Sequence, residues 1–119
     1  MENLSMTKHK VVLVPFPFDD LSSAKVRPAV CLTDPIGPHK HVVLAFITSR
    51  VPAEPLSTDL IFAENDEDFA ATGLRVSSTL QLHRMITVTT GIFVRELGRL
   101  PETKQRKVEE KLKLLFGIE

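Results

Sequence analysis

Val11-Val12-Leu13-Val14-Pro15-Phe16-Pro17-Phe18 decides how this chain is read, and two later stretches complete it, Arg27-Pro28-Ala29-Val30 and Ala45-Phe46-Ile47-Thr48-Ser49. Each is a short apolar run rich in β-branched residues and bounded by turn formers, which is the pattern of a buried strand. Each also begins or ends at a polar side chain able to meet an anion. Arg27 and Thr48 are the two that stand out.

Working outward, residues 10–16 form a first strand that Pro15 helps to end, since proline gives no donor to a ladder. The polar stretch 17–26, with Asp19, Asp20, Ser22, Ser23 and Lys25, is too long for a tight hairpin and reads as a mobile flap. A second strand is expected over 28–33, closed by the turn residues Asp34-Pro35-Ile36-Gly37-Pro38. Residues 41–48 show no clean alternation, which predicts a third strand buried on both faces. A fourth is expected over 58–62. Beyond it, Asn65 or Asp66 is a candidate cap for one helical turn that Gly73 would terminate. A fifth strand is expected over 75–82, with Val76, Leu80 and Leu82 on one face, continuing over 85–89 after a corner near His83-Arg84. Residues 93–100 read as either a last strand or a helical turn, because Gly91 and Gly98 bracket them.

The C-terminal segment is helical by every local signal. Pro101 suits a helix start, Glu102 suits the positive end of the macrodipole, and Gly117 suits the stop. Val108, Leu112, Leu115 and Phe116 recur at helical spacing as one stripe, and Glu102/Arg106 and Glu109/Lys113 are i,i+4 pairs. Many close-spaced short strands followed by one amphipathic helix point to a mainly β (α+β) domain, a small β-barrel closed by a C-terminal helix. There is no internal repeat and no low-complexity tract.

Bulk properties narrow the function. The chain has 119 residues, enough for one domain over residues 1–119 with a real core, and small enough to gain from dimerisation. Fifteen basic and fifteen acidic residues cancel, so the whole chain lacks a nucleic-acid binder's basic excess. The charge is nevertheless uneven. Glu54, Asp59, Glu64, Asp66, Glu67 and Asp68 lie in a stretch without Lys or Arg, whereas Arg75, Arg84, Arg95 and Arg99 follow against Glu96 alone. A basic surface beside an acidic one is expected. The single cysteine, Cys31, sits between Val30 and Leu32 and reads as an inert core thiol in a reducing compartment. No apolar run has the length of a membrane span, and the N-terminal residues lack the pattern of a secretory signal, so a cytoplasmic location is expected.

Together, the run from Val11 to Phe18, the segment Lys25-Val26-Arg27-Pro28-Ala29-Val30-Cys31-Leu32 and Ala45-Phe46-Ile47-Thr48-Ser49 resemble the PemK/MazF family of bacterial toxins. Ser78-Thr79-Leu80-Gln81-Leu82 and Arg95-Glu96-Leu97-Gly98-Arg99-Leu100 extend the likeness over nearly the whole chain. The resemblance implies an SH3-like barrel, a homodimer, and a metal-independent endoribonuclease that cuts single-stranded RNA, usually messenger RNA, and so arrests translation. It also implies a cognate antitoxin whose acidic and apolar segment occupies the RNA groove, and no cofactor.

Carried over by position, Arg27 matches the family's catalytic arginine and Thr48 its hydroxyl-bearing partner. Pro17, Phe18, Lys25, Pro28, Ser49 and Arg84 are candidate substrate-binding residues around them. Phe18 either stacks on a base or joins the core, and Lys25 either meets a phosphate or is solvated. The chemistry suits the pair. RNA supplies its own nucleophile, the ribose 2′-hydroxyl, so the enzyme has to position it and neutralise the phosphorane. A guanidinium offers two parallel hydrogen bonds to phosphate oxygens and a threonine hydroxyl a third. Arginine keeps its proton in nearly all settings, so Arg27 is assigned to charge stabilisation rather than to base catalysis.

Two segments depart from the common family pattern. Lys8-His9-Lys10 replaces an Arg-Gly-Asp-like run leading into the first strand, and Leu82-His83-Arg84-Met85 stands where other members carry acidic and amide residues. Two rival classes are weighed against the ribonuclease. One is a catalytically inactive SH3-like module binding RNA or protein through the same groove. The other is a metal nuclease using the acids between Glu54 and Asp68, whose spacing better fits a solvated loop. His39 and His41 likewise read as a surface pair rather than a metal site.

Overall fold

The computed structural model describes residues 6–16 and 25–119. Six strands form one antiparallel sheet: β1 (Lys10–Phe16), β2 (Lys25–Cys31), β3 (His41–Thr48), β4 (Asp59–Phe62), β5 (Ser78–Thr89) and β6 (Arg95–Arg99), in the order β4-β5-β3-β2-β1-β6. One helix, α1 (Glu102–Phe116), follows. The sheet curls into a half-barrel, as the sequence predicts.

Both faces of the central strands are buried, which is why residues 41–48 do not alternate. Val11, Val30, Ile47, Leu80 and Leu82 share a layer with Leu60, Phe62 and the helix residue Val108. The other face gathers Val12, Val14, Ala29, Cys31, Val42, Leu44 and Phe46, joined by Ile86, Val88 and Phe93. Each fully buried aliphatic side chain contributes about 1.5–3 kcal/mol. Cys31 is wholly enclosed, and burial pushes its thiol up to about 12, so it is the inert core residue expected.

The structure corrects several boundaries. β2 starts at Lys25 rather than at residue 28, because its first residues pair with the end of β1, Phe16 with Lys25 and Val14 with Arg27. The helical turn after β4 spans Phe69–Thr72, and Asp68, not Asn65 or Asp66, precedes it; Gly73 ends it with φ of 73°. Val76 lies outside β5 and is exposed. Reciprocal bonds hold the chain out of the sheet there: the Glu64 amide donates to Ser77 Oγ and the Ser77 amide to Glu64 Oε2, at 2.9 and 3.2 Å. Residues 95–99 are a strand. On α1, Val108, Leu112 and Leu115 face the core and Phe116 does not, since it stands about 80° round the helix from Val108. The Glu102–Arg106 pair forms at 2.9 Å.

Two glycines set a close approach that shapes one wall of the molecule. A Cβ on Gly98 in β6 would fall on the backbone of Ala71 and Thr72, and one on Gly73 would fall on the carbonyl of Leu97. The segment from Phe69 to Val76 is thereby pressed against β6.

His9 precedes β1 with φ of 76°, a conformation that glycine adopts without cost, at the position where the family resemblance has glycine. Its ring is buried and Nδ1 has no partner among the described residues. Burial, followed by the charges of Lys8 and Arg99, lowers its pKa, with Glu109 and Asp34 opposing. The unfolded chain therefore binds this proton more readily. The stability contributed by neutral His9 is present above about pH 6.5 and is lost as pH falls through the lower folded-state value. Thermal melts are expected to show Tm falling below pH 6.5, with the slope flattened in His9→Asn, since asparagine tolerates positive φ. The Asp34 carboxylate, held below its usual range first by the Lys8 amide and also by that of Thr7, loses its contribution only at more acidic pH. An unchanged slope in His9→Asn would refute the assignment.

Candidate active site

Arg27 and Thr48 meet because of strand register. The β2–β3 ladder runs from Cys31 opposite Leu44 to Ala29 opposite Phe46. Two residues further in the same register, Arg27 stands across from Thr48, and alternation puts both side chains on one face. The ladder ends there at Pro28, which has no N–H to give to β3. The strands part, and a cavity of about 370 Å³ opens, lined by Arg27, Phe46, Ile47, Thr48, Arg50, Gln81 and Arg84.

β5 supplies the far wall through an irregularity. Gln81 opposes Phe46 and Met85 opposes Ala45, so Leu82, His83 and Arg84 are extra residues with no counterparts on β3. The bulge keeps Leu82 in the core and brings Arg84 back beside Gln81, where its Nη1 donates to Gln81 Oε1 at 3.5 Å.

The Thr48 hydroxyl is oriented. It accepts the Arg50 amide at 3.3 Å, and the Arg50 carbonyl in turn accepts the Thr79 hydroxyl at 2.8 Å, with Thr79 directly across the ladder from Thr48. With an acceptor site of its oxygen already used, the Thr48 O–H proton can be given to an anion. Three guanidinium groups, a hydroxyl and an amide thus line this space, without a carboxylate, imidazole or thiol among the described residues. Such a donor set attracts phosphate and repels metal cations.

A second cavity, of about 330 Å³, lies on the other side of Arg27, which it shares with the first together with Ile47. Pro28 and Ser49 line this second space, with Leu13, Val26, Leu74, Val76, Leu97, Arg75 and Arg95. The residues singled out from sequence are therefore divided. Arg27, Thr48 and Arg84 share the first cavity, while Pro28 and Ser49 belong to the second. Lys25 is exposed at the head of β2 and lines neither. Pro17 and Phe18 lie outside the described residues. Arg50 and Gln81 are residues that sequence reading passes over, although Arg50 follows Thr48-Ser49 directly. Arg75 and Arg95 carry the local basic excess noted above.

The acidic stretch builds turns. Asp59 Oδ2 accepts the Leu56 amide at 2.9 Å, and Asp66 Oδ2 accepts the Ala63 amide at 3.1 Å and pairs with Lys104 at 3.3 Å. The Ala63 amide, then Lys104, hold the Asp66 carboxyl below its usual range. Among the described residues no group of three His, Cys, Asp or Glu side chains converges. His39 and His41 are exposed neighbours with ring centroids 5.8 Å apart. No helix among the described residues is long and apolar enough to cross a membrane.

A curled antiparallel half-barrel with one C-terminal helix, carrying a cation-lined cavity where two central strands part, defines a small β-barrel protein with an anion-receptive site. The family model described as "PemK-like, MazF-like toxin of type II toxin-antitoxin system" matches residues 7–116, and the chain belongs to that family. Among solved structures, it resembles the Mycobacterium tuberculosis toxin MazF-mt6, with a TM-score of 0.71 at 21% identity, covering 92% of this chain and 98% of that one. An endoribonuclease in complex with its cognate antitoxin, from a mycobacterial species, gives a TM-score of 0.67 at 14% identity, with coverage of 96% and 97%. A MazE-MazF structure from Deinococcus radiodurans gives 0.69 at 18%, with coverage of 97% and 99%. At these identities the structural likeness establishes the fold. No match is found among curated proteins.

Proposed function

We propose that this chain is a metal-independent endoribonuclease toxin that cleaves single-stranded RNA by attack of a ribose 2′-hydroxyl, with translation as its target and a cognate antitoxin as its restraint. The observation that carries the reading is the convergence of Arg27 and Thr48, from adjacent strands, on one cavity lined by two further arginines and no described carboxylate. Membership of the toxin family supports it, as do the endoribonuclease and antitoxin named in the related structures.

In this reaction the O2′–P bond forms and the P–O5′ bond breaks, leaving a 2′,3′-cyclic phosphate and a free 5′-hydroxyl. Arg27 neutralises the charge that builds on the non-bridging oxygens, and the oriented Thr48 hydroxyl adds a third donor. Guanidinium, hydroxyl and amide groups do not exchange protons readily near neutrality. The 2′-proton therefore passes to solvent and the leaving oxygen takes one from it, so the protein's contribution is positional and electrostatic. Two copies of the chain would together frame the RNA groove, and a cytoplasmic site of action follows from the substrate.

Incubation of the purified chain with a mixed single-stranded RNA pool in excess chelator, followed by sequencing of new 5′ ends, tests the reading. Full activity is expected, with 5′-hydroxyl ends at a restricted set of sequences. Loss of cleavage in chelator would exclude the metal-free route. A pool left uncut under all conditions would favour the inactive binding module.

A further inference from the structure

Thr79 is completely buried, yet packing alone gives no reason for its hydroxyl. It lies in β5 between Thr48 on β3 and Ile61 on β4, its partners in the two flanking ladders. Its neighbour Leu80 points into the core layer beneath α1, so Thr79 takes the face of the sheet that carries Thr48. A valine would fill the same space. The Thr79 hydroxyl instead donates to the Arg50 carbonyl at 2.8 Å, across 29 positions of sequence, and a buried O–H without an acceptor is costly.

Arg50 stands two residues past the last ladder pair, Thr48 with Thr79, and is exposed. The strap that begins there is fixed again at Leu56, whose amide donates to Asp59 Oδ2 at 2.9 Å and whose carbonyl accepts the Asp59 amide at 3.0 Å. At the near end the tie is the Thr79 hydroxyl. The Arg50 amide meets Thr48 Oγ1 at 3.3 Å, just beyond the usual N–H···O range, so this weak bond orients Thr48 only while the Arg50 backbone is itself held.

We infer that Thr79 is a positioning residue for cleavage: it fixes the backbone of Arg50, whose amide then keeps the Thr48 hydroxyl in a single one of its three staggered rotamers. This role rests on the ribonuclease reading and adds to it a side chain that touches neither RNA nor the reacting atoms. It explains why a polar group is buried under the cavity where an aliphatic one would pack equally well.

Single-turnover cleavage of a single-stranded RNA that the wild type cuts, compared across Thr79→Val and Thr79→Ser, separates the hydroxyl from the packing. Valine keeps the volume and removes the O–H, whereas serine keeps the O–H and removes the methyl. Misplacing a reacting group by about 1 Å costs up to about 10²-fold; Thr79→Val is expected to cost about 10-fold and Thr79→Ser no more than about 2-fold. A packing role predicts the opposite order, because serine leaves a void and valine does not. Should the valine variant fail to fold by circular dichroism, Thr79→Ser against Thr79→Ala makes the same comparison, since both lack the methyl and one keeps the O–H. Affinity for an uncleavable 2′-O-methyl form of the strand is expected to stay unchanged, because Thr48 acts on charge that develops in the transition state. In a Thr48→Val background, Thr79→Val should cost no more than about 2-fold, as both act through one hydroxyl. Without RNA, hydrogen exchange of the Arg50 amide, followed by NMR, should quicken in Thr79→Val and not in Thr79→Ser.

A valine variant as fast as wild type, or faster than the serine one, would overturn the positioning role while leaving the ribonuclease intact. So would a cost that persists whole in the Thr48→Val background, a fall in strand affinity that matches the fall in rate, or an Arg50 amide whose exchange does not move. A wild type that cuts no RNA in a mixed pool overturns the ribonuclease, and the positioning role with it.

Discussion

Replacing Arg27 by alanine is expected to lower the rate of RNA cleavage by about 10³-fold while leaving the fold and Tm close to wild type. The size follows from the assigned role. A preorganised donor aimed at charge that develops in the transition state acts on kcat, and losing one costs roughly 10²–10³-fold even when it is neutral. The guanidinium gives two parallel charge-assisted bonds, so the upper end applies. Arg27→Lys should recover little of this, because an ammonium lacks the planar fork. Thr48→Val, which keeps the shape and removes the O–H, is expected to cost about 10²-fold, the lower end of the same range. Arg27 is exposed, and exposed positions typically change stability by no more than about 0.5 kcal/mol. Single-turnover rates with melting curves check both halves. An Arg27→Ala protein that cleaves within a factor of ten of wild type would remove this residue from the chemistry.

Gly98→Ala should produce the largest loss of stability, about 3 kcal/mol, or a fall in Tm of about 10 °C for a chain of this size. The added methyl would lie against backbone atoms of Ala71 and Thr72, which cannot turn aside as a flexible side chain can. The segment from Phe69 to Val76 would have to lift off β6. Leu74, Arg75 and Val76 belong to that segment and to the wall of the second cavity, so that wall would move with it. Calorimetry reads this loss, and a Tm within about 2–3 °C of wild type would show that the close approach is softer than described.

Much of this was readable before any coordinates. The apolar runs mark all the long strands, and the helix declares itself through Pro101, its stripe and Gly117. Arg27 and Thr48 were legible because each is tied to the end of such a run. The losses are non-local. Nothing near Lys25 signals a strand, since its Lys, Arg and Pro look like loop, and pairing with β1 overrides that composition. Val76 fits the buried phase of a strand, and a reciprocal Glu64–Ser77 bond thirteen residues apart excludes it. The second cavity depends on two glycines separated in sequence whose backbones touch neighbours that no pattern names. The placing of Gln81 beside Arg84 depends on a ladder shift that carries no glycine to announce it.

That shift has a bearing on how relatives of this chain can diverge. Because His83 and Arg84 owe nothing to the pairing on β3 and are exposed, these two side chains can be exchanged without sliding either flanking ladder out of phase or emptying the core that Leu82 fills. Recognition chemistry can drift at that one spot under its own selection while the barrel stays fixed, which separates the evolution of sequence preference from the evolution of stability.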